Sequence, residues 1–308
     1  MRGKKGTVLT FAEKCKNILA SNWQGYLNTI KADSKGSKED IYTSKVEYII
    51  KKGKPYIWVP EKDLHNMNAI IDERGSFAVS SPFPGPLARV LRSLEKFPSR
   101  VALTGDVVPL KEEKAKSAAG ILRDIIHSEQ ETISESPHTV SGVLSSSALS
   151  FTSRIEHLQQ LLADYDKYLV YKFDMSSCTF IDCNGGKYEV DIEDMETSKA
   201  DSLAPFSARL IDGINQSDAR RRALMLFCFV HFNTNAKDAY ILSVDRKGFD
   251  VLGKVAGQVL KDGSPQYQWK EFRFTFKEEA RDVESFCCQL VEMEEDAVKE
   301  VSSYSGLG

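Results

Sequence analysis

Residues 25–32 read Gly-Tyr-Leu-Asn-Thr-Ile-Lys-Ala, residues 42–50 Tyr-Thr-Ser-Lys-Val-Glu-Tyr-Ile-Ile, and residues 55–60 Pro-Tyr-Ile-Trp-Val-Pro. Leu-His-Asn-Met-Asn (64–68), Glu-Arg-Gly-Ser-Phe-Ala-Val (73–79) and Ser-Arg-Val-Ala-Leu-Thr-Gly-Asp-Val-Val-Pro-Leu (99–110) follow. Short β-rich runs in close succession, joined by Gly, Asp, Ser and Pro, describe a small closed sheet. In 42–51 the residues Val46, Tyr48 and Ile50 alternate with Lys45, Glu47 and Ile49, which gives one apolar face. Strands are expected at 25–33, 42–51, 55–60, 75–81 and 100–109, with a short helix or loop at 64–72. Pro-Phe-Pro-Gly-Pro (82–86) excludes regular structure locally, and a short helix covers 87–95.

Ahead of this stretch, Thr10-Phe-Ala-Glu13 has the form of a capping box, and Phe11, Cys15, Ile18, Leu19 and Asn22 follow at helical spacing. That pattern predicts a folded first helix over 9–22. Beyond it, 111–124 reads as a helix. Residues 128–150 are rich in Ser, Thr and Glu and are expected to form a mobile loop. A helix at 153–165 and strands at 168–174, 178–182 and 187–191 come next, with Asn184-Gly185-Gly186 as a hairpin turn. The pattern changes near 197–202. Helices at 203–214 and 219–232, a hairpin about 245–248, a strand at 269–276 and a helix at 278–300 make an α+β half. Three units are therefore expected: an N-terminal helix (1–24), a barrel domain (25–195) with a mobile insertion at 128–150, and a C-terminal α+β domain (200–300).

Composition excludes more than it assigns. The 308 residues carry a formal net charge of −3 and 42% apolar residues. That is ample for a core and gives no reason to expect nucleic acid as a partner. The basic clusters Arg2–Lys5 and Arg220–Arg222 read as a solvated tail and a solvated helix face. No window is apolar enough for a membrane span. The cysteines at 15, 178, 183, 228, 287 and 288 form neither a disulfide framework nor a zinc pair. Free thiols suggest a reducing compartment, the cytoplasm or alternatively the chloroplast.

The order of several motifs resembles one known family. Gly25-Tyr-Leu-Asn-Thr29, His65-Asn-Met-Asn68, Arg74-Gly-Ser76 and Arg100-Val-Ala-Leu-Thr-Gly105 are similar to successive elements of the FMN-binding split barrel in the pyridoxamine-phosphate-oxidase-like superfamily. Within it they resemble the haem-utilisation HugZ group and the plant glutamyl-tRNA reductase-binding proteins. Ile214-Asn215, Ser243-Val-Asp245, Gly248-Phe-Asp-Val and Phe272-Arg-Phe-Thr-Phe276 resemble the small α/β domain that follows the barrel there. The resemblance implies a split β-barrel plus an α+β domain, a homodimer, and FMN or haem as possible cofactor. It places candidate cofactor-binding roles on His65, Asn68, Arg74, Ser76 and Arg100.

Two marks of the catalytic members are replaced. Ser217 and Asp218 stand where a histidine follows Ile-Asn, and 294–308 contain no histidine to serve as an iron ligand. No flanking pattern completes an FMN phosphate clamp around Arg74 and Arg100. No nucleophile–base order, phosphate loop or metal-ligand set is visible. The expected function is a non-catalytic binding or regulatory protein, linked to tetrapyrrole metabolism; alternatively, an FMN- or haem-dependent oxidoreductase. For His65 the other reading is a structural histidine pinning its loop through a backbone carbonyl, and for Asn68 an Asx-type turn bond. Arg74 and Arg100 could instead pair with Asp72, Glu73 or Asp106. His231, at the end of an apolar helical run, is expected to be partly buried.

Overall fold

The computed structural model describes residues 8–32, 40–82, 85–134, 138–147, 151–259 and 265–304. The basic cluster Arg2–Lys5 lies outside them. Helix α1 (Phe11–Ala20) opens with the expected capping box: Thr10 Oγ1 accepts from Glu13 N, and Thr10 N donates to Glu13. Strands β1 (Gln24–Ile30), β2 (Ile41–Lys51) and β3 (Lys54–Pro60) follow, then α2 (Leu64–Ile71), β4 (Arg74–Ser80), α3 (Gly85–Ser93) and β5 (Arg100–Pro109). A helical excursion of α4 (Glu112–Ser134), α5 (His138–Ser145) and α6 (Phe151–Ala163) precedes β6 (Tyr168–Ile181) and β7 (Lys187–Val190). Next come α7 (Ile192–Thr197), α8 (Ser207–Asn215) and α9 (Asp218–Phe232), then β8 (Ala236–Asp245), β9 (Gly248–Val259), β10 (Pro265–Thr275) and α10 (Val283–Tyr304).

The antiparallel order β3-β2-β1-β4-β5-β6 closes on itself, because β3 also pairs with β6 from Tyr56↔Lys172 to Pro60↔Tyr168. Leu27, Val46, Tyr48, Phe77, Leu103 and Phe173 fill the interior. Burying each such side chain contributes roughly 1.5–3 kcal/mol. Helix α1 closes one end, where Lys16 Nζ donates to Gly53 O at the β2–β3 turn (2.8 Å) and Tyr48 donates to Leu19 O. Cys15 and Cys178 meet there as buried free thiols, 3.8 Å apart. Helix α2 closes the other end.

The outside of the barrel is covered too. Ile49, Trp58 and Val170 point outward from β2, β3 and β6 and are buried under Ala118, Leu122 and Ile126 of α4 and Leu158 and Leu161 of α6. That cover explains why β2 and β3 are apolar on both faces.

The loop expected at 128–150 is instead helical over 128–134 and 138–145. Val140, Val143 and Leu144 in it recur at one-turn spacing and are buried, while 135–137 and 148–150 lie outside the described residues. The strands expected at 168–174 and 178–182 are one strand. The register of β5 against β6 passes from Thr104↔Ser177 to Gly105↔Met175, so Ser176 is an extra residue and bends the strand without ending it. Pro86 sits in the first turn of α3, where a proline costs no hydrogen bond. Helix α7 was not expected.

The second body packs the β10-β9-β8 sheet against α8, α9 and α10. Its core includes Phe227, Phe249, Phe274 and Phe286, and it also takes in Leu87 and Leu91 of α3 and Val140 and Leu144 of α5. The motif residues here hold backbone. Asn215 imitates a strand partner for Ile241: its Nδ2 donates to Ile241 O (2.9 Å) and its Oδ1 accepts from Ile241 N (2.8 Å). Arg273 grips Asp245 with two 2.8 Å bonds. Arg246 joins the bodies, bridging Glu13 of α1, Asp201 and Glu279.

Gly105 marks a tight approach in the β5–β6 ladder, where a Cβ would lie 2.0 Å from Asp174 O. Gly105→Ala is therefore expected to cost about 1–3 kcal/mol in urea unfolding. An unchanged midpoint would show that the bulge can absorb a methyl group.

Candidate functional site

The His65-Asn-Met-Asn68 segment forms α2, and its polar side chains point into the barrel mouth. The helix is capped by Asp63, whose Oδ1 accepts from His65 N at 2.9 Å. His65 is 0% exposed. Its Nδ1 lies 2.8 Å from Thr29 Oγ1 of β1 and its Nε2 3.0 Å from Ser44 Oγ of β2. Asn68 Nδ2 donates to the same Thr29 oxygen (2.9 Å), and Asn68 Oδ1 accepts from Ala32 N. Thr29 keeps its proton and a second lone pair, so Thr29 and Ser44 can satisfy both ring nitrogens of a neutral His65 in either tautomer. Asn66 completes the plug: it donates to Pro60 O and Glu61 O and accepts from Tyr171 Oη. Burial lowers the His65 pKa, which Asp63 only partly offsets.

This geometry differs from both sequence expectations for His65. The ring pins α2 through two side-chain hydroxyls, not a backbone carbonyl, and neither nitrogen is left for a ligand. The Asn68 side chain bridges α2 to Thr29 of β1 and to Ala32 two residues beyond that strand, not to its own turn.

The other candidates do not converge with His65. Arg74 is exposed, and its guanidinium bonds Asp72 through both Nε (2.9 Å) and Nη2 (2.6 Å). Arg100 stands opposite Ser80 while Arg74 stands opposite Asp106. The length of β4 thus separates the two arginines, about 20 Å at ~3.3 Å per residue. Ser76 belongs to a row of small polar residues across the outer barrel face. Register aligns Thr43, Asn28, Ser76, Thr104 and Ser177 on five neighbouring strands. Thr43 donates to Asn28 Oδ1 (2.7 Å), Asn28 donates to Ser76 Oγ (2.9 Å), and Thr104 bonds Ser177. The row is spent on itself. An FMN phosphate needs several charged donors on one point, and these five candidates do not supply them. Haem iron needs an accessible axial nitrogen, which His65 does not offer.

The sequence reading overlooked the opposite face of α2. Leu64, Met67, Ile70 and Ile71 are 57%, 58%, 75% and 65% exposed. They form an apolar stripe over two helical turns, with the helix's polar residues buried behind it. The signal was present as apolar residues spaced three apart around His65 and Asn68. His231, expected to be partly buried, is exposed, with its ring edge on Phe274. The cluster at Arg220–Arg222 is solvent-exposed at Arg222 alone. Arg221 pairs with Asp218 and Asp238 and lies over the Tyr240 ring, and Arg220 reaches backbone carbonyls.

Because burial lowers the His65 pKa in the folded state, the unfolded chain protonates first, near the ordinary value of 6.5. Stability is expected to be full above that pH and to fall as pH drops through it. His65→Gln should cost about 1–3 kcal/mol at neutral pH and flatten that slope. Denaturant titrations at pH 7.5 and 5.5 check this; an unchanged slope would show that His65 does not carry it.

No protein-family model matches this chain. An uncharacterized protein of Arabidopsis thaliana is 30% identical over 82 residues, which is 26% of this chain and 16% of that protein. Among solved structures, a heme binding protein from Mycobacterium smegmatis superposes with a TM-score of 0.58 at 17% identity, over 95% of this chain and 99% of that one. A protein of unknown function from Agrobacterium tumefaciens aligns over 94% of this chain and 99% of its own, at 16% identity and a TM-score of 0.39. Among the described residues no helix is long and apolar enough to cross a membrane. The motif order and the closed six-strand barrel agree: this chain has the split-barrel fold, with an α+β body attached.

Proposed function

We propose that this chain is a non-catalytic binding protein that uses the split barrel as a scaffold, linked to tetrapyrrole metabolism. One observation carries the reading: both ring nitrogens of His65 are engaged in holding α2 in the barrel mouth. The tetrapyrrole link rests on the motif resemblance and on the name of the mycobacterial neighbour, a heme binding protein. A fold can outlive its chemistry, because sites are grafted onto folds. Cys15 and Cys178, neighbouring free thiols, support a reducing compartment, the cytoplasm or alternatively the chloroplast. The two sheets share no strand, which supports reading barrel and α+β body as two domains.

The outer stripe of α2 is the surface we assign to self-association, giving a homodimer through the barrel. An isologous contact would lay Leu64, Met67, Ile70 and Ile71 against a second copy of the same end of the barrel. Light scattering at micromolar concentration should give twice the chain mass. Ile70→Glu should return the monomer without loss of thermal stability. A monomeric wild type would remove this assignment.

The catalytic test is conversion, not binding. Haemin and a reductant are added to the purified protein, and the Soret band and bilin region are followed. The expected result is an intact Soret band. Loss of the band with a bilin product in the wild type, and not in His65→Ala, would establish the oxidoreductase reading instead.

A further inference from the structure

A cavity open at one side lies away from the barrel, in the α+β body. It holds about 270 Å³ between α5, α8, α9 and α10. Val143, Ile214, Leu224, Phe227 and Leu290 line it, so its walls are apolar. Arg220 stands at its edge, and Val291 and Glu294 of α10 at its exposed rim.

Arg220 is unusual among its neighbours. Arg221, one residue on, is neutralised by Asp218 and Asp238, and Arg273 by Asp245. Among the described residues Arg220 bonds neutral oxygens: Gly213 O (2.9 Å), Gly142 O (2.9 Å) and Ser146 Oγ (3.1 Å). Among the described residues no carboxylate is in ion-pair contact with it. Burial pulls its pKa down, as expected for a cation without a counter-charge. Those bonds account for three of the five donors of a guanidinium. The three acceptors fix the plane of the fork beside an apolar cavity.

We propose that this cavity binds a small apolar carboxylate, with the hydrocarbon part among Phe227, Leu224 and Leu290 and the carboxylate on Arg220. The volume suits a molecule of about nine or ten non-hydrogen atoms, at ~30 Å³ each. The apolar walls favour a chain or ring, and a guanidinium that meets only neutral oxygens among the described residues favours an anion over an alcohol of the same length. The site is independent of the barrel reading, because it shares no residue with α2 or the outer barrel face.

The probes are sodium octanoate and 1-octanol, which share a tail and differ in charge. Calorimetric titration of the full chain should give octanoate at least about tenfold tighter than octanol. Val291→Trp blocks the rim and leaves the Arg220 bonds in place; it should abolish binding of both with an unchanged melting curve. Arg220→Met should bring octanoate down to the level of octanol. Arg220 also ties α5 to α8, so the octanol comparison and Val291→Trp are read independently of that variant. Equal affinity of the wild type for both probes, undiminished binding in Val291→Trp, or no heat with octanoate would each overturn the proposal.

Discussion

Tyr56 to Pro60 pair with Lys172 to Tyr168, and this one ladder turns a meandering sheet into a barrel. The partners are more than a hundred residues apart. Between them β4 and β5 serve as barrel strands and α2 as an end plug, and the helical excursion of α4, α5 and α6 lies outside. The helices α4 and α6 lie across the seam on Ile49, Trp58 and Val170, residues drawn from the strands that meet there and from β2 beside them. Closure and cover thus support each other: the seam makes a curved apolar outer surface, and the excursion buries it. Loop-closure entropy opposes such a distant pairing, and the buried Trp58 and its neighbours offset it.

Closing a barrel leaves two open ends, and the chain plugs each differently. At one end α1 inserts an apolar face and a salt bridge to Arg246 ties it to the second body. At the other, α2 inserts His65, Asn66 and Asn68. A buried polar plug is stable only when every group finds a partner, and here Thr29, Ser44, Pro60, Glu61, Ala32 and Tyr171 supply them. The cost is functional. Groups that could have met a ligand are consumed in holding the helix, and what the helix offers to solvent is hydrocarbon. A surface of that kind suits association more than chemistry.

Much of the fold was legible because period-two alternation is hard to mistake. The strand at 100–109 matches its expected bounds, since Val101, Leu103, Gly105 and Val107 face inward and the residues between face outward. Helix α2 was ambiguous for a physical reason. It is inverted, with polar residues inside and apolar ones outside, so rules that send hydrocarbon inward do not recognise it. The helices at 128–145 were hidden by serine, although Val140, Val143 and Leu144 carried the one-turn spacing. The site was less legible than the fold. Motif order named His65, Asn68, Arg74, Ser76 and Arg100 together, but only register shows that Arg74 and Arg100 stand at opposite ends of β4, and only packing shows that His65 faces inward.

The central claim is that His65 is a buried, neutral, fully bonded part of the fold. Histidine side-chain nitrogen NMR tests it most directly, because the two ring nitrogens report tautomer and ligation separately. The account predicts one neutral tautomer, unchanged when one equivalent of haemin or FMN is added. Loss of the His65 ring signals on adding haemin, while those of the exposed His127 and His157 persist, would contradict it.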